Sequence, residues 1–319
     1  MADNLPSVTV LIPTRPEQAE ISAVTAARAL DYPPDKLEIL VARGKQPSVQ
    51  RNTGLKAARG ELIYFLDDDS VAQPGNLRRA VEHFREPKVK IVGGPNLCPP
   101  DAPELEQVFA LVLSSPLAFA SSRARYASVG AVRESSEKEL ILCNLVARRD
   151  AMLELGGFNE ALYPNEENAL MDELQKRGGK LIYDPQLIVH RRPRPTLKAF
   201  CKMLMTYGRG RAEQFRETPT FGSVLNFVPP GFLVYALALL PLVLFLGPLT
   251  LIPLALYAVA VLLQVLALMP RGGVVRSLGA LPLIVLTHLL YGFGFWRGLF
   301  TKLKPPGERS NVPVQVEIV

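Results

Sequence analysis

Three adjacent carboxylates close the stretch "ELIYFLDDDS" (61–70): Asp67, Asp68 and Asp69 follow directly on the apolar run 62–66. Like charges this close repel, and desolvation raises the cost of ionising each of them. Two arrangements answer that cost. One is a solvated turn, where Asp is a common residue. The other is a cation held among the side chains. At the end of a strand, Asp-x-Asp points alternate carboxylates, here Asp67 and Asp69, at one locus. Two hard oxygen ligands with open positions suit Mg2+ or Mn2+ carrying a diphosphate, and such a metal neutralises charge on a phosphate leaving group. Taken alone, the three acids support the turn and the metal site equally.

The elements around the acids narrow the choice. "VTVLIP" (8–13), "KLEILVA" (36–42) and "LIYFL" (62–66) are short continuous apolar runs, as buried parallel strands are. Between them, "EQAEISAVTAARAL" (17–30) and "SVQRNTGLKAARG" (48–60) have helical spacing, the second ended by Gly60. A helix over 75–85 and a strand over 90–95 continue the alternation. Strand–helix alternation of this kind predicts an α/β domain with a mostly parallel, Rossmann-like sheet. Ligands bind at the carboxyl ends of such strands, which is where the acids stand. Residues 100–140 are less regular: a helix-like stretch followed by a loop. A strand, a helix, a Gly-Gly turn and a further amphipathic helix follow, and then the strand-like "KLIYDPQLIVHR" (180–191).

Composition changes near residue 220. The chain has 319 residues, with 36 Lys+Arg against 30 Asp+Glu for a net charge of +6. Residues 218–306 contain no Asp or Glu, and residues 227–269 contain no charge of either sign. The uncharged run is about twice the roughly 20 residues one bilayer crossing needs, and Gly247-Pro248 offers a turn between spans at 228–246 and 249–268. Residues 278–296 form a weaker third candidate, interrupted by His288 and several glycines. A third crossing would put Arg297, Lys302 and Lys304 on the side opposite Arg271 and Arg276, against the positive-inside pattern. The excess basic charge therefore borders the apolar region and points to a membrane, not to nucleic acid. Between residues 190 and 216, eight Arg and Lys alternate with apolar residues, as in an interfacial helix on anionic lipid. Cys98, Cys143 and Cys201 are too widely spaced for a zinc site or a disulfide framework. No basic, apolar leader opens the sequence, so the first domain is expected in the cytosol. The expected organisation is a catalytic domain over 1–190, a basic amphipathic segment over 191–226, a transmembrane region over 227–304 and a polar tail over 305–319.

Several motifs in order, "VTVLIPTR", "QRNTGLKAARGELIYFLDDDS", "LVARRDAMLELGGFNE" and "NEENALMDELQKRGGKLIYDPQLIVHR", resemble those of the family-two nucleotide-sugar glycosyltransferases with the GT-A fold. The resemblance covers roughly residues 8–192 and is poor over 100–140. It implies that Pro13, Thr14 and Arg15 border the nucleotide and that Arg51 approaches the diphosphate. It also implies that Asp67 and Asp69 hold Mn2+ or Mg2+, that Asp68 faces ribose or solvent, and that His190 is a third metal ligand. Glu166 and Glu167 match the family's Glu-Asp pair, one of them the base that deprotonates the acceptor hydroxyl; a capped helix start at Asn165 is the alternative.

Two departures stand out. The second member of the pair is Glu167 instead of the usual Asp, and Arg43-Gly44 replaces an acidic segment after the second strand. The Gln-x-x-Arg-Trp motif of processive relatives is absent, and "TYGRGRAEQF" (206–215) stands in its place. There Arg209 and Arg211 could hold a donor diphosphate or a lipid phosphate. The implied function is an inverting, metal-dependent transferase at the cytosolic membrane face. It would move a sugar from a nucleotide-diphosphate sugar, UDP-linked first among candidates, to a lipid-linked acceptor in surface or exopolysaccharide synthesis. A non-catalytic scaffold or glycan-binding subunit is the other class of reading, kept open by Arg43 and Glu167.

Overall fold

The computed structural model describes residues 5–162, 164–217, 219, 221–302 and 312–319. In chain order these form β1 (Val8–Thr14), α1 (Ser22–Arg28), β2 (Leu37–Arg43), α2 (Pro47–Ala57), β3 (Leu62–Leu66), β4 (Val71–Ala72), α3 (Asn76–His83), β5 (Val89–Gly93), β6 (Asn96–Leu97), α4 (Glu104–Leu113), α5 (Pro116–Phe119), β7 (Arg133–Glu134), β8 (Asn144–Arg148), α6 (Arg149–Glu154), α7 (Glu166–Lys176), β9 (Lys180–Tyr183), β10 (Val189–His190), α8 (Leu197–Glu217), α9 (Val228–Leu246), α10 (Ile252–Phe300) and β11 (Gln315–Ile318). They fall into two compact units. One contains Met1–Pro99, Ala124–Arg191 and Lys304–Val319; the other contains Pro100–Arg123 and Arg192–Leu303.

The first unit is built on an eight-stranded sheet in the order β11-β2-β1-β3-β8-β5-β9-β7. Strand β1 is parallel to both β2 and β3, and β5 is parallel to β9. Strand β8 is antiparallel to β3 and β5, so the sheet is mixed. Every residue of β1 and β3 is buried. Their period-two alternation divides them between two cores. Val8, Val10, Ile12, Tyr64 and Leu66 pack with Ala23, Ala27, Leu77 and Val81 on the face covered by α1 and α3. Leu11, Ile63 and Phe65 pack with Leu55, Met152, Leu170 and Met171 on the face covered by α2, α6 and α7. Continuous apolar runs are what strands covered on both faces require.

A small second sheet, β4-β10-β6, sets Val189 and His190 beside the acid loop that leaves β3. The segment expected as a polar tail is structured at its end. Gln315–Ile318 is β11, antiparallel to β2 at the sheet edge. Residues 303–311 of the expected span-to-tail junction lie outside the described residues.

The second unit is helical. Residues 100–123, expected within the catalytic domain, group here: the Phe109 ring on α4 stacks on Phe200 of α8 with centroids 4.2 Å apart. Arg192 and Glu106, and Arg276 and Glu104, are further pairs within this unit. Helix α9 has 19 residues, about 28 Å at 1.5 Å per residue, and carries exposed Leu237, Leu240, Leu244 and Phe245. Helix α10 has 49 residues and is broken at Gly273, whose φ of 71° and ψ of 173° are not helical. Its two halves, 252–272 and 274–300, are therefore separate rods. Helices α9 and α10 are long and apolar enough to cross a membrane.

The basic segment forms α8. The side chains of Phe200 and Leu204 are buried at helical spacing, with Gly208 and Ala212 on the same face. This face meets the second half of α10 backbone to backbone. A Cβ on Gly294 would lie 2.1 Å from the Met205 carbonyl oxygen, and one on Gly208 would lie 2.1 Å from that of Tyr291. Small residues at such a crossing let helices approach closely.

Candidate active site

The parallel register of β1 and β3, Val8 opposite Leu62 through Leu11 opposite Phe65, brings their carboxyl ends together. Thr14, the last residue of β1, donates from Oγ1 to Asp68 Oδ2 at 2.9 Å. The backbone of Asp68 accepts from Ala23 N at 3.2 Å. Asp68, whose expected place was ribose or solvent, is thus tied to the end of β1. Pro13 and Thr14 are buried there, and Arg15 is exposed at the start of the loop that follows.

Arg51 lies on the buried side of α2, with its guanidinium fork split between two acids. Nη1 donates to Glu166 Oε1 at 2.9 Å and Nη2 to Asp67 Oδ1 at 3.0 Å. The next residue, Asn52, fixes the Gly-Gly-Phe turn that follows α6. Its Nδ2 donates to the Phe158 carbonyl at 2.9 Å, and its Oδ1 accepts from Phe158 N at 2.8 Å. The adjoining Gly157 has φ of +83°, and a Cβ there would lie 2.4 Å from Asn52 Oδ1, so the turn admits glycine alone. The "RN" and "GGF" motifs are therefore two halves of one contact.

Arg191 is the residue that sequence reasoning passed over. Its Nε donates to Asp69 Oδ1 at 2.5 Å and its Nη1 lies 2.9 Å from Asp67 Oδ2. Burial works against its charge, but Asp67 and Asp69 outweigh that and hold it firmly protonated. Burial raises the pKa of Asp69, Arg191 pulls it back down, and Asp67 and Asp68 push it up again. The available signal was position: an arginine directly after the strand-like segment that ends at His190.

Glu166 and Glu167 open α7. Asn165, the preceding residue, has φ of 89° in the left-handed region, where Asn is tolerated. Its side chain does not cap the helix; Oδ1 accepts from Asn168 Nδ2 at 2.7 Å instead. The capping alternative is therefore not the arrangement found. Glu166 is 2% exposed, and among the described residues its Oε2 has no hydrogen-bond partner. Burial, followed by the charge of Glu167, pushes its carboxyl up to about 8 despite Arg51. Glu167 is half-buried.

His190 sits in β10 opposite Val71 and Leu97. Among the described residues no group of three His, Cys, Asp or Glu is placed to hold a metal ion. His190 is thus not grouped with Asp67 and Asp69 among the described residues. The two-residue strand holds it in register, and Arg191, one residue on, reaches the acids instead. Asp67 and Asp69 nonetheless fit a hard divalent ion. They present carboxylate oxygens at a locus that already accepts a guanidinium, and Mg2+ commonly takes one or two carboxylates with its other positions filled by phosphate and water. Arg209 and Arg211 belong to α8 in the helical unit. Arg209 Nε lies 3.4 Å from Glu213 Oε1, and Arg211 Nη1 donates to Gln214 Oε1 at 3.1 Å.

The architecture is shared with a mannosyltransferase, PcManGT from Pyrobaculum calidifontis, solved in complex with GDP-Man and Mn2+. The TM-score is 0.58 over 93% of this chain and 88% of that one, at 17% identity, a likeness of fold. Pre-mycofactocin glycosyltransferases from two strains of Mycobacterium tuberculosis, CDC 1551 / Oshkosh and H37Rv, are 26% identical over 179 residues, 53% of this chain. The match spans 34% of the length of these curated relatives. The model described as glycosyl transferase family group 2 matches residues 62–296, well over half of the chain, and the chain belongs to that family of glycosyltransferases.

Proposed function

We propose that this glycosyltransferase moves a sugar from a nucleotide-diphosphate sugar to a lipid-linked acceptor at the cytosolic membrane face, with inversion. The observation that carries the reading is the cluster at the ends of β1 and β3, where Asp67 and Asp69 stand beside the guanidinium groups of Arg51 and Arg191. Pro13, Thr14 and Arg15 border the nucleotide, and Arg51 with the acids faces the diphosphate end. Asp67 and Asp69 would hold Mn2+ or Mg2+, which supplies neutralising charge for the departing diphosphate. The Mn2+ and GDP-Man recorded with the Pyrobaculum mannosyltransferase accord with this reading. Uridine is the first base to test and guanosine the second.

Glu167 is the proposed base. Glu166 is enclosed and committed to Arg51, whereas Glu167 is half-buried and reachable. The acceptor hydroxyl attacks the anomeric carbon, its proton passes to Glu167, and the bond to the diphosphate breaks on the opposite face.

A multi-pass arrangement with the sheet in the cytosol is part of the proposal. Strand β11 pairs with β2, so residues 315–318 must share the side of the membrane on which the sheet lies. An even number of crossings between α8 and β11 follows. This favours α9 and residues 252–272 as the crossing pair, with 274–300 not crossing. Arg271 and Arg276 then fall on the cytosolic side, as the positive-inside rule prefers. A lipid acceptor follows from that anchorage, and a role in surface or exopolysaccharide synthesis is the pathway class it suits.

The test uses membranes containing the full chain, a panel of labelled UDP- and GDP-sugars, and extracted lipids. Labelled lipid from one donor, lost in Asp69→Ala together with Mn2+-dependent nucleoside diphosphate binding, is the expected result. No product across the panel would overturn the proposed reaction, and binding unaffected by Mn2+ or by Asp69→Ala would overturn the metal site.

A further inference from the structure

The edge of the sheet nearest β2 is closed by a strand that lies beyond the membrane helices in the sequence. Strand β11 sets Gln315 opposite Arg43, Val316 opposite Ala42, Glu317 opposite Val41 and Ile318 opposite Leu40. Alternation sorts its side chains. Val314 and Val316 pack on the core that holds Leu40 and Ala42. Glu317 faces the other way, where Arg43 Nε donates to both of its carboxylate oxygens at 3.1 Å.

The same guanidinium reaches the loop between β1 and α1. Arg43 Nη1 donates to the Gln18 carbonyl at 2.8 Å and to the Pro16 carbonyl at 3.5 Å. The near end of this loop has its own anchors. Gln50 Nε2 donates to the Thr14 and Ala42 carbonyls at 2.7 and 2.6 Å, and Gly44 N donates to the Thr14 carbonyl at 3.0 Å. The outer part, residues 15–20, is exposed throughout and is held by Arg43 at two carbonyls. An arginine at this place in the family pattern, where an acid is usual, therefore has a defined task. It is a strut between the loop and β11, and Glu317 fixes the direction in which the strut points.

We infer that Glu317, acting through Arg43, is a positioning residue for loop 15–20, and that β11 thereby completes the nucleotide side of the donor site. The inference rests on the proposed function for one step, that Thr14 and Arg15 border the nucleotide. The pairing of β11 with β2 makes the strand after the membrane helices a determinant of donor affinity.

The experiment uses the full chain in lipid nanodiscs and reads two quantities: amide hydrogen exchange, and binding of UDP and of GDP with Mn2+ present. Glu317→Ala should raise exchange over residues 15–20 while Gln315–Ile318 stay protected. It should also weaken the preferred nucleotide about three- to fivefold, the size of one partly exposed charge-assisted contact. Glu317→Asp should restore part of both effects. Glu317→Ala placed on Arg43→Ala should add nothing, because the two residues act in series. Unchanged exchange over 15–20, unchanged affinity in a parent that binds, or additive losses in the double variant would overturn the inference. Loss of protection across Gln315–Ile318 as well would overturn the side-chain route. A parent chain that binds neither UDP nor GDP counts against the proposed function, and the exchange arm still decides what Glu317 does.

Discussion

Glu166→Gln should make the protein more stable than its parent at alkaline pH, with the gap growing as pH rises. In the folded chain the carboxyl is pushed from 4.5 up to about 8, first by burial and then by Glu167. An acid whose folded pKa lies above its unfolded value binds more protons when folded. Its contribution is therefore most favourable below pH 4.5 and is lost as pH rises toward about 8. Within that window the loss is about 1.4 kcal/mol per pH unit, or roughly 2 kcal/mol between pH 6 and pH 8. Gln keeps an oxygen for Arg51 Nη1, which donates to Oε1 at 2.9 Å, and does not titrate. The variant should therefore lose this slope, and its melting temperature should gain about 4–8 °C on the parent across those two pH units. Thermal melts of detergent-solubilised chain from pH 5.5 to 9 measure it. A constant gap would refute the argument. A variant that loses ground as pH rises would refute it more strongly, because Arg51 would then be stabilising an ionised Glu166 by more than burial costs it.

Arg191→Met should destabilise the metal-free chain by about 1–2 kcal/mol, since Asp67 and Asp69 lose a partly exposed cation. Added Mn2+ should then raise the melting temperature more in the variant than in the parent; equal gains would show that the guanidinium and the ion do not share the acids. Gly294→Val should cost at least about 2 kcal/mol by forcing α8 from α10, given the 2.1 Å that separates a Cβ there from the Met205 carbonyl oxygen. Gly279→Ala is its control, because the nearest side-chain atom to a Cβ at that position is 3.6 Å away, and its melt should stay close to that of the parent.

The elements that carry the site are legible in the sequence because their signals are local. A run such as "VTVLIPT" or "LIYFL", buried along its whole length, has few ways to fold except as a central strand, and Gly60 marks where the intervening helix has ended. Position at the end of such a strand is what makes Asp67–Asp69, in the turn closed by Ser70 N donating to the Asp67 carbonyl at 3.0 Å, candidates for the site. Arg191 is a different case. Strand β10 is two residues long and owes its place to pairing with β4 and β6, more than ninety positions upstream, which no local pattern announces. The "VPVQVEIV" segment does alternate, but four residues make too short a strand to stand out from a polar tail, and the free edge of β2 is what orders it. Helix α4 reads as a helix from its sequence, but contacts far along the chain, the stacking of Phe109 on Phe200 and the pairing of Glu104 and Glu106 with Arg276 and Arg192, assign it to the helical unit. Of the glycines that weaken 278–296 as a span, Gly294 is where α10 meets α8 closely and Gly292 where it meets α9, because what disfavours a lipid-facing rod also permits close helix packing.

The charge count at the site carries the metal argument further than the spacing does. Along one line the charges alternate: Glu166, Arg51, Asp67, Arg191, Asp69. Each guanidinium touches two acids, so the repulsion posed by the three aspartates is answered within the chain by arginines. The answer is incomplete. Asp68 takes a hydroxyl from Thr14, and Glu167 adds a further carboxyl whose charge is felt at Glu166. Five carboxyl groups face two guanidiniums, and after burial, which comes first, the charge of Glu167 is what pushes the Glu166 carboxyl up. A nucleoside diphosphate is itself an anion, and bringing it to a site with surplus negative charge costs energy at every ångström of approach. Protonation of Glu166 relieves one charge, while Arg51 and Arg191 are already engaged with acids. A divalent cation entering with the diphosphate would satisfy Asp67 and Asp69 and release Arg191 toward the phosphates. The donor and the ion are therefore expected to bind together, each weakly without the other.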